Sequence, residues 1–490
     1  MYVDILVGIL NGFVIVPLYL IYIDLGLYGA WLATGNILMW LTIIDPGVGD
    51  VLIQRVSESY AKNNRDEIGK QLASSMILSS AITFIALSGG ISLMYFIDNI
   101  VKASSSIDIV VLKKAFFYGT IGTAMTLFGY FISGALIGLQ RSKEQGLMRS
   151  IWGIISFILK PIFLILGFGL LAIPYSTLIG SIIYLILTSF VFIQIVRKEN
   201  IKFIFDYKYF ISYSKVFIYT FSSKMFSTLK DNVDLILVSR FVNLEMVAVF
   251  ELTRRPMKIL YGFASRPAAA LIAAFANLKG EGDSVKLQDI TEKITFLLLT
   301  GLIFITSGFI AFNKDLISLW VGSELFIGQT FNLILALFFM FKTFTYILAN
   351  ITYSLGNIKG NSLVEILGNS IALILLFVSG YFFGIWGIIL SPFAVVVFVE
   401  LVYFPQKLSE LIGKSKNIIY SIGHSNIIIL VIGIICSIFF YYLSIKNWGQ
   451  LILYSALFAI IFSISAFSFS RKFRQTLKSA RIMLLPKNIK

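Results

Sequence analysis

Charged side chains are concentrated in two consecutive apolar segments, at about residues 213–241 and 245–278. The first segment carries Lys224, Lys230, Asp231 and Asp234, and the second carries Glu251, Arg254, Arg255, Lys258 and Arg266. A charge near the centre of a bilayer costs on the order of 3 kcal/mol on insertion scales, so such groups face a packed interior or a water-filled cavity. The chemistry that they offer is electrostatic, because guanidinium and ammonium groups bind anions, and carboxylates carry protons or cations.

The bases of the second segment share one helical face. At about 100° per residue, the charged positions from Glu251 to Arg266 fall within roughly one third of the circumference. Acids and bases four residues apart can pair, which predicts ion pairs of Lys230 with Asp234 and of Glu251 with Arg255. The bases of this segment outnumber its single acid, so positive charge is left over. The surplus indicates either ion pairs with other helices and contact with headgroups, or a cationic cavity wall that receives an anionic group.

The candidate anion contacts fall into two ranks, since arginine forks suit phosphate oxygens particularly well. The leading candidates are Arg254, Arg255, Lys258 and Arg266. The second rank, also within apolar spans, consists of Lys224, Lys230, Lys160 and Lys342. Burial favours the protonated form of a carboxyl group, which makes acids in these spans candidate carriers of a proton or cation, with a structural ion pair as the alternative. These acids are Asp231, Asp234 and Glu251.

Composition defines the class of the protein. Of its 490 residues, 58% are hydrophobic and 13% are charged, which is typical of an all-α polytopic membrane protein. Mainly apolar runs of about 18 to 30 residues predict about fourteen transmembrane helices. Most lysines and arginines fall in loops on one side and in the C-terminal tail, so the net charge of +15 indicates the positive-inside pattern and not nucleic-acid binding. Both termini are therefore predicted in the cytoplasm.

A short internal similarity predicts how these helices are grouped. Residues 138–147 are similar to residues 354–363, and each piece fits the inner turn between the fourth and fifth spans of a six-span unit. We therefore predict a six-helix lobe at 1–200 and a second at 201–408. Two extra transmembrane helices and a basic cytoplasmic tail follow at 409–490.

The connections between the predicted spans are short. The longest outer connections are predicted at about Asp98–Lys114 and Asn313–Gln329. A membrane glycan polymerase or ligase needs catalytic groups on sizeable outer loops, so the sequence disfavours that class. The inner loop Pro46–Gln71 is different, because its amphipathic part, Val51–Tyr60, is predicted to lie along the cytoplasmic interface.

The sequence lacks motifs for energy-consuming or metal-dependent chemistry. Gly413-Lys414-Ser415 is similar to the end of a phosphate-binding loop, but the glycine required five residues earlier is Leu408. The single histidine, His424, lies in a basic loop, and the single cysteine, Cys436, lies in an apolar span. No metal site and no disulfide within the chain are predicted. We expect no catalytic residues, no enzyme activity and no bound cofactor.

Four stretches carry a resemblance to a known family. They are Asp24–Trp31, Asp45–Gly49, Asp231–Phe250 and the turn Gly356–Asn361. With these stretches, the chain resembles the polysaccharide-exporter branch of the multidrug/oligosaccharidyl-lipid/polysaccharide (MOP) exporter superfamily, the Wzx-type flippases for O-antigen and related repeat units. The resemblance extends over nearly the whole chain.

The resemblance implies a V-shaped pair of six-helix lobes that open alternately to the two sides of the cytoplasmic (inner) membrane. It also implies a cargo, an undecaprenyl-pyrophosphate-linked oligosaccharide, which moves from the inner to the outer leaflet. Independently, pyrophosphate and sugars cannot cross hydrocarbon, whereas a wet cationic cleft can hold them while the polyprenyl tail stays in lipid. The leading bases are then candidate contacts to the pyrophosphate or to an acidic sugar. Candidate partners are membrane lipids and other polysaccharide-assembly proteins, and a proton or sodium gradient is the candidate energy source.

A drug or organic-cation antiporter of the same superfamily is the main alternative function. Its substrate prefers acidic and aromatic walls, whereas the membrane-embedded charges of this chain sum to a positive value. The alternative from another class is a membrane-embedded glycan polymerase or ligase, and the large outer loop of such an enzyme is missing.

Overall fold

The computed structural model describes residues 12–41, 48–101, 108–212, 214, 233–280, 282–414 and 418–484. In these ranges the regular secondary structure is helical, without a β-strand, which confirms the predicted all-α class. By contacts between residues, the chain divides into two compact units, Met1–Ala248 and Val249–Lys490. The predicted domain boundaries after residues 200 and 408 stay predictions.

The first unit is built around one long central helix. In chain order, its helices are α1 (Ile15–Tyr22), α2 (Leu25–Leu41), α3 (Val48–Ala61), α4 (Arg65–Met94), α5 (Ile97–Val101), α6 (Ile109–Gly138), α7 (Ser142–Ile165), α8 (Ala172–Lys198) and α9 (Asp234–Phe241). The central helix is α6, which packs against α3, α4 and α8. Side chains fix where the long helices begin, since Asn64 caps α4 and Asp108 caps α6 by accepting backbone N–H groups of the first turn.

The amphipathic stretch that we expected at the cytoplasmic interface belongs to α3, whose apolar face is buried. Within α3, which packs on α6 and α4, the side chains of Val48, Leu52 and Val56 are buried. The backbones approach closely, because a Cβ added to Gly134 would lie 2.6 Å from the carbonyl oxygen of Gly49. The apolar face of this amphipathic helix therefore packs on another helix, and its position at the cytoplasmic interface stays a prediction.

The second unit contains the remaining helices. They are α10 (Leu244–Gly280), which begins in the first unit, and then α11 (Ser284–Trp320), α12 (Gln329–Ser354), α13 (Ile358–Val395), α14 (Leu401–Leu411), α15 (Ile418–Tyr441), α16 (Trp448–Phe469) and α17 (Arg471–Leu484). A π-helical turn, Val396–Glu400, joins α13 to α14. Gly384 has φ 55° and ψ −132°, a conformation that suits glycine, so α13 consists of two spans that meet there.

Within the described ranges, nine helical segments are long and apolar enough to span a membrane. One of them, Ile358–Leu411, passes through the kink at Gly384 and holds two of the predicted spans. The other predicted spans correspond to α1, α2, α10 and the segment 213–241. Of these, α2 is short, α10 is charged, and α1 and the segment 213–241 are only partly described. The protein is a multi-pass α-helical membrane protein, as predicted.

One predicted outer connection is partly helical. We expected a loop to begin at Asn313, but α11 continues to Trp320, and Asn313 is 2% exposed inside the helix. The charged residues that follow it suggested a loop. Lys314 is exposed, and a long basic side chain can leave an apolar helix for its polar surroundings without ending the helix.

Candidate functional site on α10

The candidate site lies on α10, a long helix that carries the leading candidate cations along one face. It has 37 residues, or about 55 Å at 1.5 Å per residue, which exceeds the hydrocarbon thickness of about 30 Å. Its start is fixed by Asn243, whose side-chain oxygen accepts the N–H of Met246 at 2.7 Å. The charged face from Glu251 to Arg266 extends over roughly 22 Å of the helix axis.

Glu251, Arg254 and Lys258 form one cluster on this face. The Arg254 Nε donates to Glu251 Oε2 at 2.7 Å, and the Lys258 Nζ donates to Oε2 at 2.9 Å and to Oε1 at 3.1 Å. The guanidinium carbon of Arg254 also lies 4.4 Å from the centre of the Phe250 ring, a cation–π contact. Two cations therefore share one carboxylate.

Exposure separates the two cations of the cluster. The side chain of Arg254 is 7% exposed and that of Glu251 is 11% exposed, whereas that of Lys258 is 42% exposed. Arg254 contacts both the carboxylate and the ring of Phe250, as expected of a residue with a structural role. Lys258 is the more exposed cation of the cluster, and its ammonium group has three N–H donors.

The predicted pairing within α10 differs from the observed one. We predicted Arg255 as the partner of Glu251, whereas the structure gives this carboxylate to Arg254 and Lys258. A spacing of four residues permits a pair, but three and seven residues also return to the same helical face. Arg255 is half-buried. Arg266 belongs to α10, but its side chain is outside the described residues.

Three further predicted residues, Lys224, Lys230 and Asp231, lie outside the described residues. The predicted pair of Lys230 with Asp234 is therefore not addressed. Asp234 itself is the first residue of α9, and its carboxylate accepts the N–H of Leu235 at 2.8 Å.

A buried hydrogen-bond network holds α10 against its neighbours. Thr253 donates its hydroxyl to the carbonyl of Leu325 at 3.2 Å and accepts the N–H of Ile327 at 3.1 Å. The Asn313 amide donates to the Thr253 carbonyl at 3.0 Å and to the Asn332 side-chain oxygen at 2.8 Å. The network thus ties α10 to α11, to α12 and to the connection between them. Sequence reasoning missed it, although amide side chains inside apolar spans are the signal that points to it.

Lys342, a second-rank candidate, has a carboxylate partner in the same unit. Its Nζ lies 2.6 Å from Glu400 Oε1, and the Thr345 hydroxyl donates to Glu400 Oε2 at 2.6 Å. Glu400 ends the π-helical turn, and such turns are frequent at functional sites. Sequence reasoning missed Glu400. This residue is an acid inside a predicted span, and the criterion that selected the charged residues of α10, a charge within an apolar span, applies to it equally.

The first unit holds Lys160, another second-rank candidate. It is half-buried in α7, directly before Pro161. Its proposed anion contact stays a prediction. Among the described residues, no three His, Cys, Asp or Glu side chains are grouped as a metal site would require.

Solved structures share this fold. A structure of the lipid II flippase MurJ in an inward closed conformation has a TM-score of 0.71 at 17% identity, and the match covers 96% of this chain and 97% of that chain. An inward-facing multidrug resistance MATE family transporter of the MOP superfamily has a TM-score of 0.66 at 16% identity, covering 84% of this chain and 96% of that chain. The chain therefore shares the fold of these two proteins.

A third match is a MOP superfamily transporter from Pyrococcus furiosus, with a TM-score of 0.56 at 16% identity, which covers 84% of this chain and 93% of that chain. No protein-family model and no curated protein match the sequence. At these identities, the similarity shows the fold alone, and the Wzx-type specificity stays a prediction.

Proposed function

We propose that this protein is a flippase that moves an undecaprenyl-pyrophosphate-linked oligosaccharide, an O-antigen or similar repeat unit, from the inner to the outer leaflet of the cytoplasmic membrane. The observation that carries the proposal is the surplus positive charge on α10, where Arg254 and Lys258 share the carboxylate of Glu251. A pyrophosphate is highly charged and needs such partners to leave water. We assign Lys258, which is 42% exposed, as its contact in the cluster.

The length of the charged face suits a cargo that must travel. Arg266 follows Lys258 by about 12 Å along the helix axis and lies on the same face by helical spacing. An anion that leaves one of these bases would meet the other before it enters hydrocarbon. The polyprenyl tail needs no such path, since it is compatible with lipid throughout. Alternating access through a cationic cavity would therefore move the head group alone.

The coverage of the solved structures favours a lipid-linked cargo over a drug. The MATE family structure matches 84% of this chain. The structure described as a lipid II flippase matches 96% of the chain. A cationic wall also attracts a pyrophosphate and repels an organic cation. Both observations support the flippase over the drug antiporter.

We keep a proton or sodium gradient as the candidate energy source. Glu251 already contacts two cations, which favours its role as a structural ion pair. Asp234 and Asp231 are then the remaining predicted carriers. If the reconstituted protein flips its cargo at the same rate with and without pH and sodium gradients, transport is not coupled to an ion through these acids.

The proposal is tested in a host strain from which the gene is deleted. We expect the deletion to accumulate lipid-linked repeat units inside the cell and to lose surface glycan. Lys258→Gln, expressed at the wild-type level, should complement this defect at least about tenfold less well, since a hydrogen bond to a charged group contributes about 1.5–3 kcal/mol. The matched control is Lys446→Gln, because Lys446 is exposed in the turn between α15 and α16.

Two outcomes would contradict the proposal. Wild-type transport by Lys258→Gln, together with wild-type transport by Arg255→Gln and Arg266→Gln, would exclude the cationic face as the cargo contact. Efflux of a cationic drug that depends on this gene, with no change in lipid-linked intermediates, would favour the antiporter instead.

A further inference from the structure

The first unit contains an apolar groove between α4, α6 and α8 that the proposed function does not use. Its volume is about 400 Å³. The lining side chains are largely apolar, with one base among them: Met76, Phe128, Phe131, Phe192, Val196 and Arg197. We refer to this surface as the α4–α8 groove.

The groove begins at the end of α8 and runs into the membrane. Phe131 and Phe192 contact each other with ring centres 5.9 Å apart, each about two turns before the end of its helix, so α6 and α8 end at the same level. Phe128 lies ten residues before the end of α6, which places the inner part of the groove about 15 Å from that level. This depth is half of a hydrocarbon core of about 30 Å, the length of one leaflet.

The chain that follows α8 gives the mouth of the groove a fixed shape. Phe203, another lining residue, packs edge-to-face on Phe192 with ring centres 6.2 Å apart. Asp206 is joined to Lys70 of α4 by an ion pair of 3.2 Å. The mouth is therefore built from α4, from α8 and from the segment that connects α8 to the next span.

The mouth carries positive charge that exceeds the negative charge of its acids among the described residues. Arg197 is exposed and, among the residues that the structure describes, forms no ion pair. Lys198 beside it is also exposed. The adjacent acid, Glu199, is already shared by Arg65 at 3.1 Å and Arg141 at 3.7 Å. A guanidinium at the end of an apolar groove in a membrane protein is suited to a phosphate, which it can hold with two parallel hydrogen bonds.

We propose that the α4–α8 groove is a binding site for an anionic phospholipid, with an acyl chain along the phenylalanine side chains and the phosphate at Arg197. Basic pockets between transmembrane helices recognise anionic head groups in this way. A glycerophospholipid is favoured over the polyprenyl chain of a cargo because the bulk lipid is present in large excess, and occupancy follows concentration. An anionic head group is favoured over a zwitterionic one because Arg197 and Lys198 are both cationic.

The site is tested with the purified full-length protein. Native mass spectrometry of the protein in detergent micelles would count bound phosphatidylglycerol and, separately, phosphatidylcholine with the same acyl chains. We expect the wild type to bind more phosphatidylglycerol than phosphatidylcholine. In Arg197→Gln the ratio of the two should fall about fivefold, since one basic residue near an anionic surface contributes about 1 kcal/mol. Ser189→Phe, which adds a ring to the groove lining, should reduce binding of both lipids.

The matched control is Lys143→Gln, because Lys143 is exposed in the first turn of α7 at the same end of the unit and does not line the groove. It should behave as the wild type does. An equal loss of preference in Lys143→Gln and Arg197→Gln would replace the site with general surface attraction. Equal binding of the two lipids by the wild type, or displacement of phosphatidylglycerol by an equimolar polyprenyl phosphate, would also overturn the proposal.

Discussion

Replacing Glu251 with glutamine tests whether one carboxylate holds the cluster on α10 together. Arg254 contacts this carboxylate at 2.7 Å and is 7% exposed, with the ring of Phe250 on its other side. Glutamine keeps the size of the side chain but removes the charge that Arg254 faces. Breaking a buried ion pair by removing one partner typically costs about 3–5 kcal/mol. We expect Glu251→Gln to lower the free energy of unfolding by about this amount.

Two further variants isolate the buried pair. Lys258 is 42% exposed, so Lys258→Gln should cost at most about 1 kcal/mol, the range of exposed ion pairs. The double variant Glu251→Gln/Arg254→Met removes both partners of the buried pair. It should recover part of the lost stability, because no guanidinium is then left buried without its carboxylate. Because its own stability cost is small, Lys258→Gln should be impaired in transport while it remains folded.

The free energies are measured by SDS titration from mixed micelles, with helical circular dichroism as the readout and equal protein concentrations throughout. The ordering matters more than any single value. If Glu251→Gln were as stable as Lys258→Gln, or if the double variant were less stable than Glu251→Gln, the carboxylate would not be the group that holds Arg254. The division into a structural and a ligand-accessible cation would then fail.

Two other predictions concern the first unit. Gly134→Ala should lower the free energy of unfolding by about 1–3 kcal/mol, because its Cβ would lie 2.6 Å from the Gly49 backbone. The control is Gly89→Ala, measured by the same titration, since a Cβ on Gly89 meets nothing within 4 Å in the described structure. It should be neutral or stabilising, and equal losses in both variants would contradict the close packing of Gly134 on Gly49. A hydrogen bond from Lys113 at 2.8 Å lowers the pKa of Asp98. The pair therefore stabilises the fold at a pH above the ordinary aspartate pKa of about 4, and this stabilisation is lost as the pH falls through the lowered pKa. The free energy of unfolding should vary less with pH across that range in Lys113→Gln, and a pH dependence equal to that of the wild type would show that the pair does not stabilise the fold.

The charged face of α10 could be predicted because helical periodicity fixes the direction of each side chain. The choice of partner for Glu251 could not. Arg254, Arg255 and Lys258 all lie within reach on that face, and the contact of Arg254 with Phe250 helps to decide between them. Such a choice depends on side-chain conformations, which a sequence pattern does not specify.

Contacts between distant parts of the chain were the least predictable. The sequence gives no pattern that joins Gly49 to Gly134, or Lys342 to Glu400, because each pair depends on how two helices cross. The apolar face of α3 is buried where the first of these contacts forms. The helices themselves required only local information, since the length and apolar character of a run largely determine that it spans the membrane.

The last two transmembrane helices are part of the core of the second unit. The rings of Phe312, Phe440 and Phe458 lie 5.6 to 5.7 Å from one another and join α11 to α15 and α16. The next residue of α11, Asn313, donates to the carbonyl of Thr253 in α10. α11 therefore connects the helix that carries the cationic cluster with the extra pair of helices. In the proposed flippase, we therefore expect a movement of α10 to be transmitted through Asn313 and α11 to α15.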